Sequence, residues 1–384
     1  MTTFIISEFN PFHKGHEYLI SKAAQLYPGD GIVCIMSGNT VQRGTVAIMD
    51  KYARARAAVQ SGANLVLLLP APFSFQSANY FAYGACEIIK SLNLEGRVFF
   101  ASECGSMEEL DKAAEILESA EFSRLLEARP KSEPYAVARQ RIYSEMGYKG
   151  DLLEKPNNIL AIEYINALKG TKGVTLRTVK RNADFLSSSA IRGMRDNEAE
   201  VLSSVPDATA RAIEECKKEG IYPADIRFAE RYVLGLLHLA DQFPAMDGEG
   251  GLAARITAAA KDAAGYDELL AKVQTKAYTA ARINRVILNI CLGVTRQELD
   301  TPPLYTCLLA AGGKGCEILK NIKRTSDIPV LTKPSDTESL SQDALMQYEI
   351  EKRADRLFCL STPKILPSNE FIKRTPYIEK RSDI

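Results

Sequence analysis

Hydrophobic positions in this chain follow two spacings. In the first half, short continuous apolar runs stop at glycine, proline or polar residues, and between them apolar residues recur every third or fourth position. The runs predict strands over 3–7, 31–36, 64–69, 97–101 and 174–179. The run over 64–69 has no polar alternation and ends at Pro70 and Pro72, the pattern of a strand buried on both faces of a parallel sheet. The periodic stretches predict helices over 16–26, 50–60, 76–92, 107–128, 134–146 and 157–168, with a short one opening over 189–195. Asp50 reads as an N-cap and Gly62 as a C-terminal stop. Pro156 introduces the helix that begins near Asn157 or Asn158. Strands alternating with helices predict an α/β domain over residues 1–200, built on a mostly parallel Rossmann-like sheet. The strand signal then fades. Helices are predicted over 207–218, 226–240, 251–264, 267–272 and 275–292. Residues 301–384 read as mixed, with a short strand over 329–332 and a helix over 340–360. The boundary falls at 195–205, where Asp196-Asn197-Glu198-Ala199-Glu200 and Ser203-Ser204-Val205-Pro206 interrupt the pattern. Residues 201–384 are thus expected to form a mainly α-helical region.

Length and composition narrow the class. A chain of 384 residues is long for one domain and fits two or three. Lys and Arg number 48, as do Asp and Glu, so no overall basic field announces nucleic acid. No apolar run is long enough to span a bilayer, and the first eight residues read as a strand rather than a signal peptide. The eight cysteines form no CxxC pair. Cys34, Cys86, Cys291 and Cys307 sit in apolar contexts and read as reduced core residues of a cytosolic protein. Three histidines and no clustered cysteines argue against a zinc site. Magnesium carried in by a nucleotide needs few protein ligands and remains open.

Two of the three histidines stand together, in Ser7-Glu8-Phe9-Asn10-Pro11-Phe12-His13-Lys14-Gly15-His16. The first apolar run breaks at Asn10-Pro11, and helical spacing (Tyr18, Leu19, Ala23, Ala24, Leu26) follows His16. His13 and His16 therefore lie in a strand-to-helix turn, where free N–H groups and the positive end of a helix dipole favour an anion. Gly15 would allow close backbone approach to a phosphate, and the imidazoles can donate to a developing pyrophosphate. The plain alternative is a turn with two surface histidines. A second cluster runs from Lys180 and Arg181 to Ser187-Ser188-Ser189-Ala190-Ile191-Arg192. Serines entering a helix can simply cap it; hydroxyls, helix N–H groups and a guanidinium can also form a second phosphate clamp. Gln42-Arg43-Gly44 reads as a polar loop at the C-terminal edge of the second strand, placed for substrate contact. Asp50 and Lys51 read either as a cap and a surface lysine or as a lining of the substrate side. His238 lies among leucines and reads as packed. Tyr80, Phe81 and Tyr83 read as core rather than a base-stacking platform.

The two phosphate clusters, in this order, resemble the nucleotidyltransferases related to class I aminoacyl-tRNA synthetases. A narrower resemblance is to the bacterial tRNA(Met) cytidine acetate ligases. It rests on residues 8–16, then Met36-Ser37-Gly38-Asn39, Val41-Gln42-Arg43-Gly44, Asp50-Lys51 with Arg54, residues 65–70, Ser102-Glu103, Pro156-Asn157-Asn158-Ile159-Leu160 and Lys180-Arg181. Ala281-Arg282-Ile283-Asn284-Arg285 and the stretch from Lys314-Gly315 to Pro329 continue it. The resemblance implies ATP and acetate as substrates, acetyl-adenylate as intermediate, and transfer of acetyl to the wobble cytidine amine of elongator tRNA(Met). It implies a nucleotide segment of Ile6, Ser7, Glu8, Phe9, Asn10, Pro11, Phe12, His13, Lys14, Gly15, His16, Glu17, Tyr18 and Leu19. Further ATP positions match Ala101, where the family has glycine, and Asn157 and Arg181, with Asn158 and Lys180 one register away. Ser188 and Ser189 would join the clamp. Lys14 stands where asparagine is common and serves as a point charge. His13, His16, Lys180, Arg181 and Arg192 are the expected catalytic set, and Gln42, Arg43, Asp50 and Lys51 the substrate candidates.

Two other functions compete: a nucleotidyltransferase that adenylates a small phosphorylated metabolite, and a nucleotide-dependent RNA-binding protein without catalysis. The roughly 180 residues after the α/β domain favour a macromolecular substrate. Candidate RNA contacts are the pairs Lys323-Arg324, Lys352-Arg353, Lys373-Arg374 and Lys380-Arg381, each of which reads equally as a solvated face. No protein partner is inferred.

Overall fold

The computed structural model describes residues 1–384 except 131–132, 149, 196, 240–249 and 380–384. The basic pair Lys380-Arg381, the first residue of the boundary segment (Asp196) and the end of the helix expected over 226–240 lie outside the described residues. In chain order the strands are β1 (Thr2–Ser7), β2 (Gly31–Ser37), β3 (Thr40–Val41), β4 (Thr45–Val46), β5 (Leu65–Leu69), β6 (Gly96–Ser102), β7 (Val174–Lys180), β8 (Thr306–Ala311), β9 (Val330–Leu331) and β10 (Tyr377–Ile378). The main sheet runs β10-β8-β5-β2-β1-β6-β7, with β9 paired to β8, while β3 and β4 form a separate hairpin. All pairings along the main sheet are parallel except β5 with β8.

Side-chain alternation explains the layers. Phe4, Val33, Ile35, Leu65 and Leu67 pack on one face, with Ile88 and Ile89 from Ala78–Ser91 and Ala161 and Ile162 from Pro156–Leu168. Ile5, Cys34, Met36, Val66 and Leu68 point the other way, toward Ile20, Ala23, Ala55 and Ala58. Every residue of β5 is buried, as its unbroken apolar run requires.

Two helix expectations are corrected, and one strand has no counterpart in the sequence reading. The helix expected over 107–128 is two, Met107–Leu117 and Ala120–Glu127. Ser119 breaks it by accepting the Phe122 N–H and capping the second piece. The helix expected from 275 begins at Ala280, because the Thr275 hydroxyl holds the Ala277 and Tyr278 N–H groups in a turn and Thr279 is the N-cap. Residues 306–311, left unassigned within a mixed stretch, form β8. The described part of 201–384 is otherwise mainly helical, but β8 and β10 join the sheet begun by residues 1–200. His238, expected to be packed among its leucines, is instead exposed on its helix, with its Nε2 lying 2.6 Å from the Ala260 carbonyl.

Strand order reverses beside β1: the chain builds outward through β2 and β5, then returns to β1's other side with β6 and β7. The crevice outside the C-terminal ends of strands at such a reversal is where open α/β sheets bind ligands.

Candidate active site

A cavity of about 410 Å³ opens at that reversal. Its wall starts at the end of β1 with Ile6, Ser7, Glu8 and Phe9, and continues through His13, Gly15, His16, Tyr18 and Leu19. Ala101 and Glu103 enter from the end of β6, Lys180 and Arg181 from the end of β7. Ser187, Ser188, Ser189 and Arg192 come from the short helix Ser188–Gly193, and Gln42 and Arg43 from the hairpin loop. Phe81, Phe100, Leu160 and Tyr164 supply an apolar floor.

The histidines are locked to each other. His13 is the N-cap of helix Lys14–Leu26; its Nδ1 accepts the Gly15 N–H at 3.0 Å. His16 Nδ1 accepts the His13 N–H at 3.3 Å. Two orphan helix donors are thereby satisfied by reciprocal capping. The rings stack with centroids 3.8 Å apart. With both Nδ1 lone pairs engaged, the ring proton of each neutral imidazole sits on Nε2. Neutrality follows from the surroundings. Burial, then Arg181 and Arg192, push His13 down to about 4. Burial, then His13 and Arg181, hold His16 well below its usual value. At neutral pH the pair is thus two Nε2–H donors, which suits charge developing on a phosphate. Phe9 and Phe12 flank the His16 ring, with centroids at 5.0 and 5.6 Å. Gly15 has a more immediate reason than phosphate approach: a Cβ there would lie 2.8 Å from His13 Cε1.

The second cluster divides by role. Ser187 is the cap, its Oγ accepting the Ala190 N–H at 3.2 Å; Ser188 and Ser189 line the cavity. Arg192 bridges the two clusters, donating to the Asn10 carbonyl at 2.5 Å and to Ser189 Oγ at 3.1 Å. Asn10 in turn accepts the Ile48 N–H at 2.8 Å.

Other expected residues are not brought to the cavity wall. Asn10, Pro11, Phe12, Lys14 and Glu17 lie outside its lining, and Lys14 is exposed. Of the two asparagines, Asn157 faces the cavity, while Asn158 is buried and accepts the Cys104 N–H. Asp50 caps helix Lys51–Gln60, accepting the Tyr52 and Ala53 N–H groups. Lys51 is buried in an ion cluster with Glu351 and Asp355, 2.7 and 2.8 Å away. Neither Asp50 nor Lys51 lines this cavity. Glu103, part of the resembling segment Ser102-Glu103 but not among the expected site residues, lines it and caps helix Pro156–Leu168 from outside, taking the Asn157 side-chain amide at 2.8 Å and the Asn158 N–H at 2.9 Å. The signal available was an acidic residue just after a strand, which is too common to select.

The hairpin loop is held from both sides. Glu8 accepts the Gln42 N–H at 2.6 Å, and Arg285 donates to the Gln42 carbonyl. Gly44 has φ +75°, and a Cβ there would meet the Arg285 backbone at 2.4 Å. Arg54, fully buried, donates to the Glu8, Ser37, Gly38 and Met49 carbonyls. It thus fastens the ends of β1 and β2 together. Among the described residues no group of three or more His, Cys, Asp or Glu could hold a metal ion, and no helix is long and apolar enough to cross a membrane.

A mostly parallel sheet with a His-x-Gly-His cap at its switch point is the mark of a HIGH nucleotidyl transferase. The model of that family matches residues 1–370, and the chain belongs to it. Within the family its relatives are tRNA(Met) cytidine acetate ligases, the group to which the chain belongs. The one from Clostridium perfringens (strain ATCC 13124) is 30% identical over 96% of this chain and 98% of its own. That from Caldanaerobacter subterraneus subsp. tengcongensis is 33% identical over 89% and 91%. Among solved structures, Thermotoga maritima TmcAL bound with alpha-thio ATP matches with a TM-score of 0.90 and 28% identity, covering 98% of this chain and 99% of that one.

Proposed function

We propose that the protein uses ATP to activate acetate as acetyl-adenylate, releasing pyrophosphate, and passes the acetyl group to the N4 amine of the wobble cytidine of elongator tRNA(Met). The observation that carries the reading is the convergence, in one cavity at the sheet's switch point, of two imidazole donors with Lys180, Arg181 and Arg192. Adenylation brings two anions together, so fixed donors and cations matter more than a protein nucleophile. In this reading an acetate oxygen attacks the α-phosphate. His13 and His16 donate through Nε2–H to the oxygens that gain charge, and Arg181 and Arg192 neutralise the leaving pyrophosphate. Asn157, Ser188 and Ser189 orient the nucleotide. Magnesium would be held by the triphosphate, since Glu103 is committed to a helix end and Glu8 spends one of its two oxygens on the hairpin loop. Residues 201–384 serve as the tRNA-binding region, and a tRNA substrate places the protein in the cytoplasm. Relatives that carry the tRNA ligase name along nearly the whole chain favour this reading over adenylation of a small metabolite.

The test is incubation with ATP and labelled acetate, with and without tRNA(Met), following label and pyrophosphate. Acetate-dependent pyrophosphate release with label in tRNA supports the proposal, and His16→Ala should abolish both. Turnover only with a phosphorylated metabolite, or binding without turnover, would refute it.

A further inference from the structure

Acetyl transfer needs a proton acceptor that adenylation does not. As the cytidine N4–acetyl bond forms and the acyl C–O bond to AMP breaks, N4 must lose a proton. Most groups lining the cavity cannot take it. His13 and His16 have spent their Nδ1 lone pairs on backbone N–H groups, and Nε2 already carries the proton. Lys180, Arg181, Arg192 and Arg43 are cations. Burial pushes the Tyr164 phenol far up, so it stays protonated. Both Glu103 oxygens are engaged at the head of helix Pro156–Leu168. Glu8 is the exception. One of its oxygens, Oε1, accepts the Gln42 N–H at 2.6 Å; among the described residues no hydrogen bond occupies the other, and the side chain borders the cavity.

Resting on the function proposed above, we propose that Glu8 is the general base of the acetyl-transfer step. Its carboxylate takes the N4 proton as the amine attacks the acetyl carbon, AMP leaves with the bonding electron pair, and the proton then passes to solvent. Position and environment agree. Glu8 lies one residue beyond β1, at the switch point, and its backbone carbonyl is pinned by buried Arg54 at 2.5 Å. Burial raises its pKa; the Gln42 N–H, Arg192, Arg54 and Arg43 oppose the rise, and Tyr164 is the further titratable group facing it. A carboxylate shifted toward the working pH is a stronger base.

The test separates the two half-reactions. Acetate-dependent pyrophosphate–ATP exchange and trapping of acetyl-adenylate by hydroxylamine, itself a strong nucleophile, report adenylation. Single-turnover acetylation of tRNA(Met) reports transfer. Glu8→Gln keeps an acceptor for the Gln42 N–H but removes the base. Transfer should slow by roughly 10²–10⁴-fold, at least tenfold more than exchange or hydroxamate formation. The wild-type transfer rate should fall on acidification with a slope of one, and the variant's should not. Equal loss in all three assays would make Glu8 structural. Unimpaired transfer, or a wild-type rate without the acidic limb, would assign the proton to the leaving phosphate and overturn the proposal. Wild-type protein that forms acetyl-adenylate yet never acetylates tRNA would instead refute the parent reading and the base role with it.

Discussion

Replacing Lys51 by Met tests how the C-terminal helix is tied to the sheet. The Lys51 ammonium lies 2.7 Å from Glu351 and 2.8 Å from Asp355, both on helix Gln342–Leu360. Asn39 donates to Asp355, and the Ala71 N–H to Glu351. Burial opposes the Lys51 charge, and the two carboxylates more than compensate, holding its pKa well above the usual value. Met fills a similar volume but leaves two carboxylates one helical turn apart without a cation. Breaking a buried pair in this way costs about 3–5 kcal/mol. Burial holds Asp355 up at about 6, with Lys51 opposing and Glu351 adding to the rise. Because the folded-state value exceeds the unfolded one, the native state retains a proton that the unfolded chain releases between about pH 4 and 6, so this group's contribution to stability falls as pH rises through that window. Without Lys51 the dependence must steepen. In urea unfolding followed by far-UV circular dichroism, Lys51→Met should lose about 3–5 kcal/mol at pH 8 and regain a clear part of it at pH 5.5. A loss below about 1 kcal/mol at pH 8, the scale of an exposed ion pair, or one independent of pH, would refute the reasoning.

Other consequences follow from the same geometry. Gly15→Ala should displace the His13 ring and slow acetate-dependent pyrophosphate exchange by 10-fold or more, with a stability loss of about 1 kcal/mol from the damaged cap; unchanged exchange would show that the His13 position is unimportant. His13 is depressed to about 4, so its stabilising contribution is present above the unfolded value near 6.5 and is lost as pH falls toward 4. His13→Asn, which keeps a capping acceptor, should flatten the unfolding midpoint against pH across that range, and an unaltered slope would contradict the assignment. Arg192→Ala removes the bridge from Asn10 to Ser189 and should raise the KM for ATP more than it changes thermal stability. Charge reversal at Lys323 and Arg324, exposed in the last turn of Gly313–Thr325, should weaken tRNA binding and flatten its salt dependence. The same change at Arg374, which reaches Asp50, Glu219 and Glu370, should instead lower stability.

What the sequence made legible was local. The strand-helix alternation, the His-x-Gly-His turn and the serine-capped helix are each written within about a dozen residues, and their placement followed from periodicity and capping chemistry. β8 was not legible, because Thr306-Cys307-Leu308-Leu309-Ala310-Ala311 is short, ends in helix-favouring alanines and becomes a strand by antiparallel pairing with β5, some 240 residues earlier. Lys51 was ambiguous for the same reason, since its partners lie 300 and 304 residues away. The family resemblance implied a phosphate contact for Lys14, yet the first turn of the helix leaves it exposed. The tautomers of His13 and His16 needed coordinates, because they depend on which N–H each ring accepts.

The central claim is attack by acetate on the α-phosphate of ATP. Its most direct measurement is the fate of oxygen from ¹⁸O-labelled acetate in a reaction with ATP and tRNA(Met), read by mass spectrometry of the nucleotide. If acetyl-adenylate forms and the amine then breaks the acyl C–O bond, the released AMP carries one acetate oxygen. Label in orthophosphate with unlabelled AMP or ADP would place the attack elsewhere and contradict the account.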